Sequence, residues 1–333
     1  MDRFSLDGLI EQYENETKLF SVMIELCTVC NWNCEYCYID KHDNYGLKLR
    51  DIKILLSELR KTGCFQVSFT GGEIFLRKDI WIIIEYARKL GFEVLLYTNF
   101  SLLSKNDIQR LKEMNIALVS CSIFSFNEKI NSSFVNYNNS VEKVKRNLIY
   151  AKEINLNIEL KVMLMKFNYS SKEDIIEFCK ANSINLKFDY IVYPKRTNYS
   201  CMNKYYLTKE NLKTVIEKDD SYHKKIFDNN DKYICSATRT SIFVNSSGDI
   251  FPCVNLDLYL GNIRDNRIEE IWNNNDNLHR IQNLRKFNDD CFFCNVSKYC
   301  SKCIGISFRE NGKIESCNSI NKTIANLRKE IYE

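Results

Sequence analysis

Proline is nearly missing from this chain: Pro194 and Pro252 are the only two in 333 residues, and they are its main rigid punctuation. Histidine is almost as rare. His42, His223 and His279 each stand alone among polar residues, so no histidine base or metal ligand is expected and all three read as solvated surface. No apolar run approaches the roughly 20 residues that span a bilayer, and the opening Met1-Asp2-Arg3-Phe4-Ser5 starts no secretory signal. The protein is therefore expected to be soluble, cytoplasmic and without a membrane partner. An excess of one charge is also lacking: 47 Lys and Arg against 43 Asp and Glu leave a formal +4, too balanced for a nucleic-acid surface. No internal repeat or low-complexity tract stands out, and the surplus of Asn, Ile and Lys reads as genome bias.

What the chain does have is cysteine, fifteen in all. In a reducing compartment these cannot form a disulfide framework, so metal ligation is the better account. Three lie at 30–37 and seven from Cys235 onward. In Cys30-Asn31-Trp32-Asn33-Cys34-Glu35-Tyr36-Cys37 the thiols are separated by three and then two residues. So spaced, they can cap three irons of a 4Fe-4S cube and leave the fourth without a protein ligand. A vacant metal position is the mark of a catalytic rather than a structural site, so the spacing points to an enzyme.

At 333 residues the chain exceeds the length at which domains tend to divide, and one large domain with a smaller one is expected. Over the first two-thirds, apolar β-branched runs alternate with segments of helical period, the pattern of repeated βα units around a parallel sheet. Strands are predicted at Leu19–Leu26, Gln66–Thr70, Val94–Thr98, Ala117–Ser122, Ile158–Met165 and Leu186–Val192. Helices are predicted near Leu49–Lys61, Asp79–Leu90, Lys105–Met114, Val141–Ile154 and Lys172–Ala181. Six strands with intervening helices give an α/β fold, a partial (β/α)6 barrel of parallel strands rather than a closed barrel of eight. Active sites in such folds lie at the carboxyl ends of the strands, and the three-cysteine segment directly follows the first one.

The loop after the second strand carries Thr70-Gly71-Gly72-Glu73. Two glycines let a backbone pass close to a ligand with its amides exposed, and the adjacent carboxylate can accept from an ammonium group. In the C-terminal third, Cys235 is followed by Gly248-Asp249-Ile250-Phe251-Pro252-Cys253, then by Cys291-x2-Cys294-x5-Cys300-x2-Cys303, and last by Cys317. Seven thiols suit two closed or nearly closed clusters. A zinc ribbon remains open as the alternative, because paired Cys-x2-Cys units are its usual signature.

Cys30, Cys34 and Cys37, the aromatic Tyr36 and Gly71-Gly72-Glu73 together resemble the radical S-adenosylmethionine (SAM) enzymes. The resemblance implies that SAM binds the open iron through its amino and carboxylate groups, that Gly71, Gly72 and Glu73 hold the methionyl amine, and that Tyr36 contacts adenine. Ser122 is then expected at the ribose, with Asn99 or Met165 lining the pocket. One electron from the reduced cluster would give methionine and a 5′-deoxyadenosyl radical that abstracts a substrate hydrogen, with flavodoxin or ferredoxin as electron donor. The C-terminal order resembles the SPASM extension of this family, a small irregular Fe-S-binding domain. It implies two auxiliary clusters, one held by Cys291, Cys294, Cys300 and Cys317, the other by Cys235, Cys253 and Cys303 with a fourth position unassigned. The expected division is a barrel at 1–192, a connector at 193–234 with a helix at Leu207–Glu217, and the SPASM unit at 235–333.

Five cysteines remain. Cys64, Cys121 and Cys179 read as small buried hydrophobes, Cys27 lies outside the family spacing, and Cys201 is a candidate hydrogen-atom donor or substrate contact. The segment from Val119 to Ser125 with Glu128–Asn131 resembles peptide-modifying maturases, oxidoreductases that act on a residue of a ribosomally made peptide to give a thioether, a carbon–carbon crosslink or an epimer. Only about 20 residues precede the first strand, so leader recognition is expected to need a separate protein or another surface. The alternatives are a dehydrogenase or epimerase of an aminoglycoside-like small molecule, a maturase of a partner protein, and a zinc-binding scaffold that is no enzyme.

Overall fold

Val22, Ile24 and Leu26 face the interior of the first strand, and this alternation sets the register of the sheet that follows. The computed structural model describes residues 5–193, 204–218, 235, 237–284, 291 and 293–333. Six strands run parallel: β1 (Ser21–Cys27), β2 (Gln66–Gly71), β3 (Glu93–Thr98), β4 (Leu118–Ser122), β5 (Ile158–Met163) and β6 (Asn185–Asp189). Each pairs with its sequence neighbour, so the helices between them must cross over one face. Among the described residues this sheet is open, with β6 at one edge.

Helices α2 (Leu49–Lys61) and α3 (Ile80–Lys89) show why the βα reading holds. Ile52, Leu55, Leu56 and Leu59 bury one stripe of α2, and Ile80, Ile83, Ile84 and Ala87 repeat the i, i+3, i+4, i+7 pattern on α3. At ~1.5–3 kcal/mol for each large buried aliphatic side chain, this stripe outweighs the helices' modest intrinsic propensity. Helix α4 (Lys105–Glu113) starts on a reciprocal Ser104–Asp107 capping box. The predicted helices at Val141–Ile154 and Lys172–Ala181 appear as Val141–Glu153 and Lys172–Ala181, and that at Leu207–Glu217 as Lys209–Lys218.

Within residues 5–193 two α-helices lie outside the expectation, α1 (Leu6–Glu16) and α5 (Glu128–Val135), and the C-terminal region adds further helices such as Ile304–Asn311 and Ser319–Tyr332. The larger difference is in the sheet. Beyond β1 it continues into β7 (Ser241–Val244), β8 (Asp249–Phe251) and β9 (Gly261–Asn262), giving nine strands in the order β6-β5-β4-β3-β2-β1-β7-β8-β9 among the described residues. β7 lies parallel to β1, with Ser21 opposite Ser241 and Ile24 opposite Val244, and β8 and β9 fold back antiparallel. The C-terminal region is therefore hydrogen-bonded to the barrel sheet. It also shares the barrel's apolar core through Ile268, Ile271, Ile320 and Ile324. No helix among the described residues is long and apolar enough to cross a membrane.

Candidate active site

Parallel pairing brings the loops after β1, β2, β3 and β4 to one end of the sheet, where they surround a cavity of about 240 Å3. Cys30, Cys34 and Cys37 line it, as do Tyr36, Gly71, Gly72, Asn99 and Ser122. The cysteine loop is fixed at three places. Val29 and Thr28 amides donate to Asn44 O, closing the base of the loop. Asn33 N donates to Val135 O at 2.8 Å, tying it to the end of α5. Arg77, 6% exposed, reaches Leu26 O, Tyr45 O and Leu47 O with one guanidinium, and so clamps the chain where it enters and leaves the loop, while Asp79 neutralises it.

The two glycines serve this packing. A Cβ on Gly71, whose φ is +141°, would lie 2.2 Å from Cys27 O, and one on Gly72 would lie 2.1 Å from Val29 O. Gly72 N donates to Cys27 O at 2.9 Å and Glu73 N to Val29 O at 2.8 Å. The expectation of exposed amides is thus corrected: they already bind the cysteine loop. Glu73 is corrected too. Its carboxylate is fully buried, away from the cavity wall, and accepts from Thr98 Oγ1, Asn99 N and Phe75 N. Burial pushes its carboxyl up to about 7 against the pull of those donors, and its oxygens are turned to Thr98, Asn99 N and Phe75 N.

Met165, expected at the pocket, is buried core, and Met163 two residues earlier lines the cavity instead. His42, expected on the surface, also lines it, and His279 is half-buried with Nε2 3.3 Å from Trp272 O. His223 and Cys201 lie outside the described residues. Cys64, Cys121 and Cys179 are buried as expected. Sequence reasoning missed Tyr97 and Lys161, which both face the cavity. Strand alternation carried that signal, since Lys161 is the partner of Ser122 across β4 and β5.

The three thiols fit a cluster with an open iron. None is in a disulfide, and they share one cavity whose wall also includes the Gly71-Gly72 backbone, Asn99 and Ser122. Burial pushes Cys30 up to about 12 and Cys34 well above its ordinary value, with the neighbouring thiols adding to the shift. Binding iron as thiolate must therefore release protons from a site that resists bare negative charge.

The C-terminal thiols fall into two groups. Cys253 is raised to about 12, first by burial and then by Cys235 and Cys303; Cys235 and Cys253 pack on Leu256, Ile281, Leu284, Ile304 and Ile314. Cys300 is raised to about 11, first by burial and then by Cys317, Cys291 and Cys294; Cys294 and Cys300 pack on Val296, Tyr299 and Ala325. No three His, Cys, Asp or Glu side chains among the described residues converge as around a single ion.

The Radical SAM superfamily pattern matches residues 24–181, and an iron-sulfur cluster-binding domain pattern, SPASM, matches residues 235–304. AdoMet-dependent heme synthase of Oleidesulfovibrio alaskensis is 21% identical over 323 residues, covering 86% of this chain and 83% of that protein. SuiB of Streptococcus suis bound to precursor peptide SuiA has the same fold, with a TM-score of 0.70 at 17% identity over 95% of this chain and 78% of that one. So does anSMEcpe with bound AdoMet and the Cp18Cys peptide, at a TM-score of 0.69 and 18% identity over 94% of this chain and 95% of that one. Matched through its barrel and through the cysteine-rich region beside it, the chain belongs to the radical SAM superfamily and carries a SPASM domain.

Proposed function

We propose that this radical SAM enzyme modifies a residue of a ribosomally made peptide. The observation that carries the reading is the open sheet: β6 is its last strand on the side where Lys161 and Met163 line the cavity, so among the described residues that flank has no further strand. An extended chain can approach the reacting centre there, as a peptide adds to an open edge. The two solved neighbours that hold bound peptides, SuiB with SuiA and anSMEcpe with Cp18Cys, support the same class of substrate.

Cys30, Cys34 and Cys37 would hold the cluster beside SAM, which supplies a hydrogen-abstracting radical after one-electron reduction. Tyr36, stacked near Phe134 and edge-on to Phe124, gives an apolar wall that excludes water from that space. A methionyl ammonium needs acceptors, which main-chain carbonyls of the Gly71-Gly72 turn would supply, while the Gly72 and Glu73 amides donate to the cysteine loop. Ser122 and Lys161 stand side by side across two strands, a hydroxyl and a cation suited to ribose and carboxylate. The two C-terminal thiol groups would hold auxiliary clusters, making three in all. A flavodoxin or ferredoxin would supply electrons, and a separate protein could present the leader.

The likeness to a heme synthase supports a second reading, a small-molecule substrate. Anaerobically purified and reduced protein should convert SAM to 5′-deoxyadenosine, and Cys34→Ala should abolish this. A peptide encoded beside the gene should then change in an enzyme-dependent way, losing two hydrogens if crosslinked or taking up solvent deuterium without loss of hydrogens if epimerised. Sugar or tetrapyrrole genes there, with no peptide changed, would refute the peptide reading while leaving SAM cleavage intact.

A further inference from the structure

Asn31 follows Cys30, and its side chain is one of three in a closed circuit. Asn99 Nδ2 donates to Asn31 Oδ1 at 2.8 Å, Asn31 Nδ2 donates to Ser101 Oγ at 3.1 Å, and Ser101 Oγ donates back to Asn99 Oδ1 at 2.7 Å. Three side chains thus form a ring between the cysteine loop and the loop after β3. Asn99 and Ser101 are 6% and 5% exposed, so little water competes for these bonds.

The backbone beneath the ring is strained in its favour. Phe100, between Asn99 and Ser101, is fully buried at φ 61°, a left-handed conformation costly for a bulky residue. It is held by Phe100 N to Thr98 Oγ1 at 2.9 Å and by Ser101 N to Asn99 Oδ1 at 3.0 Å. Asn99 N donates at 2.8 Å to Glu73, the residue that also grips Val29. The turn is therefore over-determined, and its product is an Asn99 amide fixed against the residue after Cys30, on a cavity that both Asn99 and Cys30 line.

We propose that Asn31, Asn99 and Ser101 are positioning residues for Cys30: their ring sets where the first of the three thiolates stands, and thereby the lability and potential of the cluster. The inference rests on the reading that Cys30, Cys34 and Cys37 hold that cluster. Outer partners of metal ligands typically alter affinity by about 10–100-fold when removed.

The test uses reconstituted full-length protein carrying Asn31→Ala, Asn99→Ala, both together, or Asn147→Ala. Asn147 is the control for a merely structural effect, because its amide braces the same loop through Phe100 O and Leu103 O without touching the ring. The readouts are iron content, the rate of cluster loss to a chelator, and the midpoint potential of the SAM-binding cluster. The ring variants should assemble the cluster, lose it about 10–100-fold faster and shift its potential. The double variant should be no worse than the worse single one, since either cut opens the same ring. Asn147→Ala should lower the melting temperature with the potential unchanged. An equal potential shift in Asn147→Ala, additive losses in the double variant, or wild-type behaviour of Asn31→Ala would overturn the proposal. Should Asn99→Ala not fold, Asn31→Ala at its half-buried loop position carries the test alone. A wild-type protein that takes up no cluster at 30–37 would instead bring down the reading on which it rests.

Discussion

The Thr98 hydroxyl sits between both oxygens of the Glu73 carboxylate, 2.8 and 2.9 Å away, so one side chain closes β2's end onto β3's. A carboxyl raised from 4.5 to about 7 has a defined consequence for stability. Between these two values the folded state keeps a proton that the unfolded chain has lost, so stability falls as pH rises through the window and is level above it. The protonated form is the stabilising one here. In iron-free protein, Glu73→Gln should gain on wild type across the window by something on the order of 3 kcal/mol, on top of a pH-independent offset. Urea unfolding of both proteins across that range would show it, and parallel curves would refute it.

Gly72→Ala should fail to pack. Its Cβ would meet Val29 O at 2.1 Å and Thr28 O at 2.5 Å, both backbone atoms that no rotamer change can move. A loss of about 1–3 kcal/mol in stability is expected from overpacking, together with weak cluster retention, because the displaced backbone is the root of the cysteine loop. Calorimetry and iron analysis would check both effects.

Arg77→Lys should loosen the same loop from the other side. A lysine ammonium cannot replace a fork that meets Leu26 O and Leu47 O at 2.8 and 3.1 Å while pairing with Asp79. We expect about 2–3 kcal/mol of destabilisation and faster proteolysis within residues 28–46, read by limited digestion. Unchanged digestion would mean that the clamp does not hold the loop.

Cys253→Ser and Cys300→Ser should each remove one cluster's worth of iron, and the double substitution should remove two. The prediction follows from the separate apolar beds of the two thiol groups. If either single substitution emptied both, the groups would form one site.

The six parallel strands were legible because apolar runs such as Leu19–Leu26 recur with turn residues between them, and α2 and α3 because four aliphatics sit at helical spacing. Helix α1 was not, since it buries no side chain and so leaves no stripe to read. Strands β7 to β9 are two to four residues long, too short for periodicity to register. The spacing of the cysteines pointed to a candidate site, and Cys30, Cys34 and Cys37 line one cavity. The fate of Glu73 was hidden for a different reason: its partners Thr98 and Asn99 lie 25 and 26 residues away, and nothing local to Gly71-Gly72-Glu73 shows that the carboxylate turns inward.

Glu25 on β1 accepts from Tyr38 OH at 2.9 Å and from Ser246 N at 3.1 Å, joining the cysteine loop to the turn after β7. Since β7 is hydrogen-bonded beside β1, the two cysteine-bearing regions grow from adjacent strands about 4.8 Å apart. Residues 204–218 belong to the same body, because Tyr205, Leu207, Leu212, Val215 and Ile216 pack into the barrel core, so the separation of the two cysteine-bearing regions follows the register of β7 on β1 and not the reach of a tether.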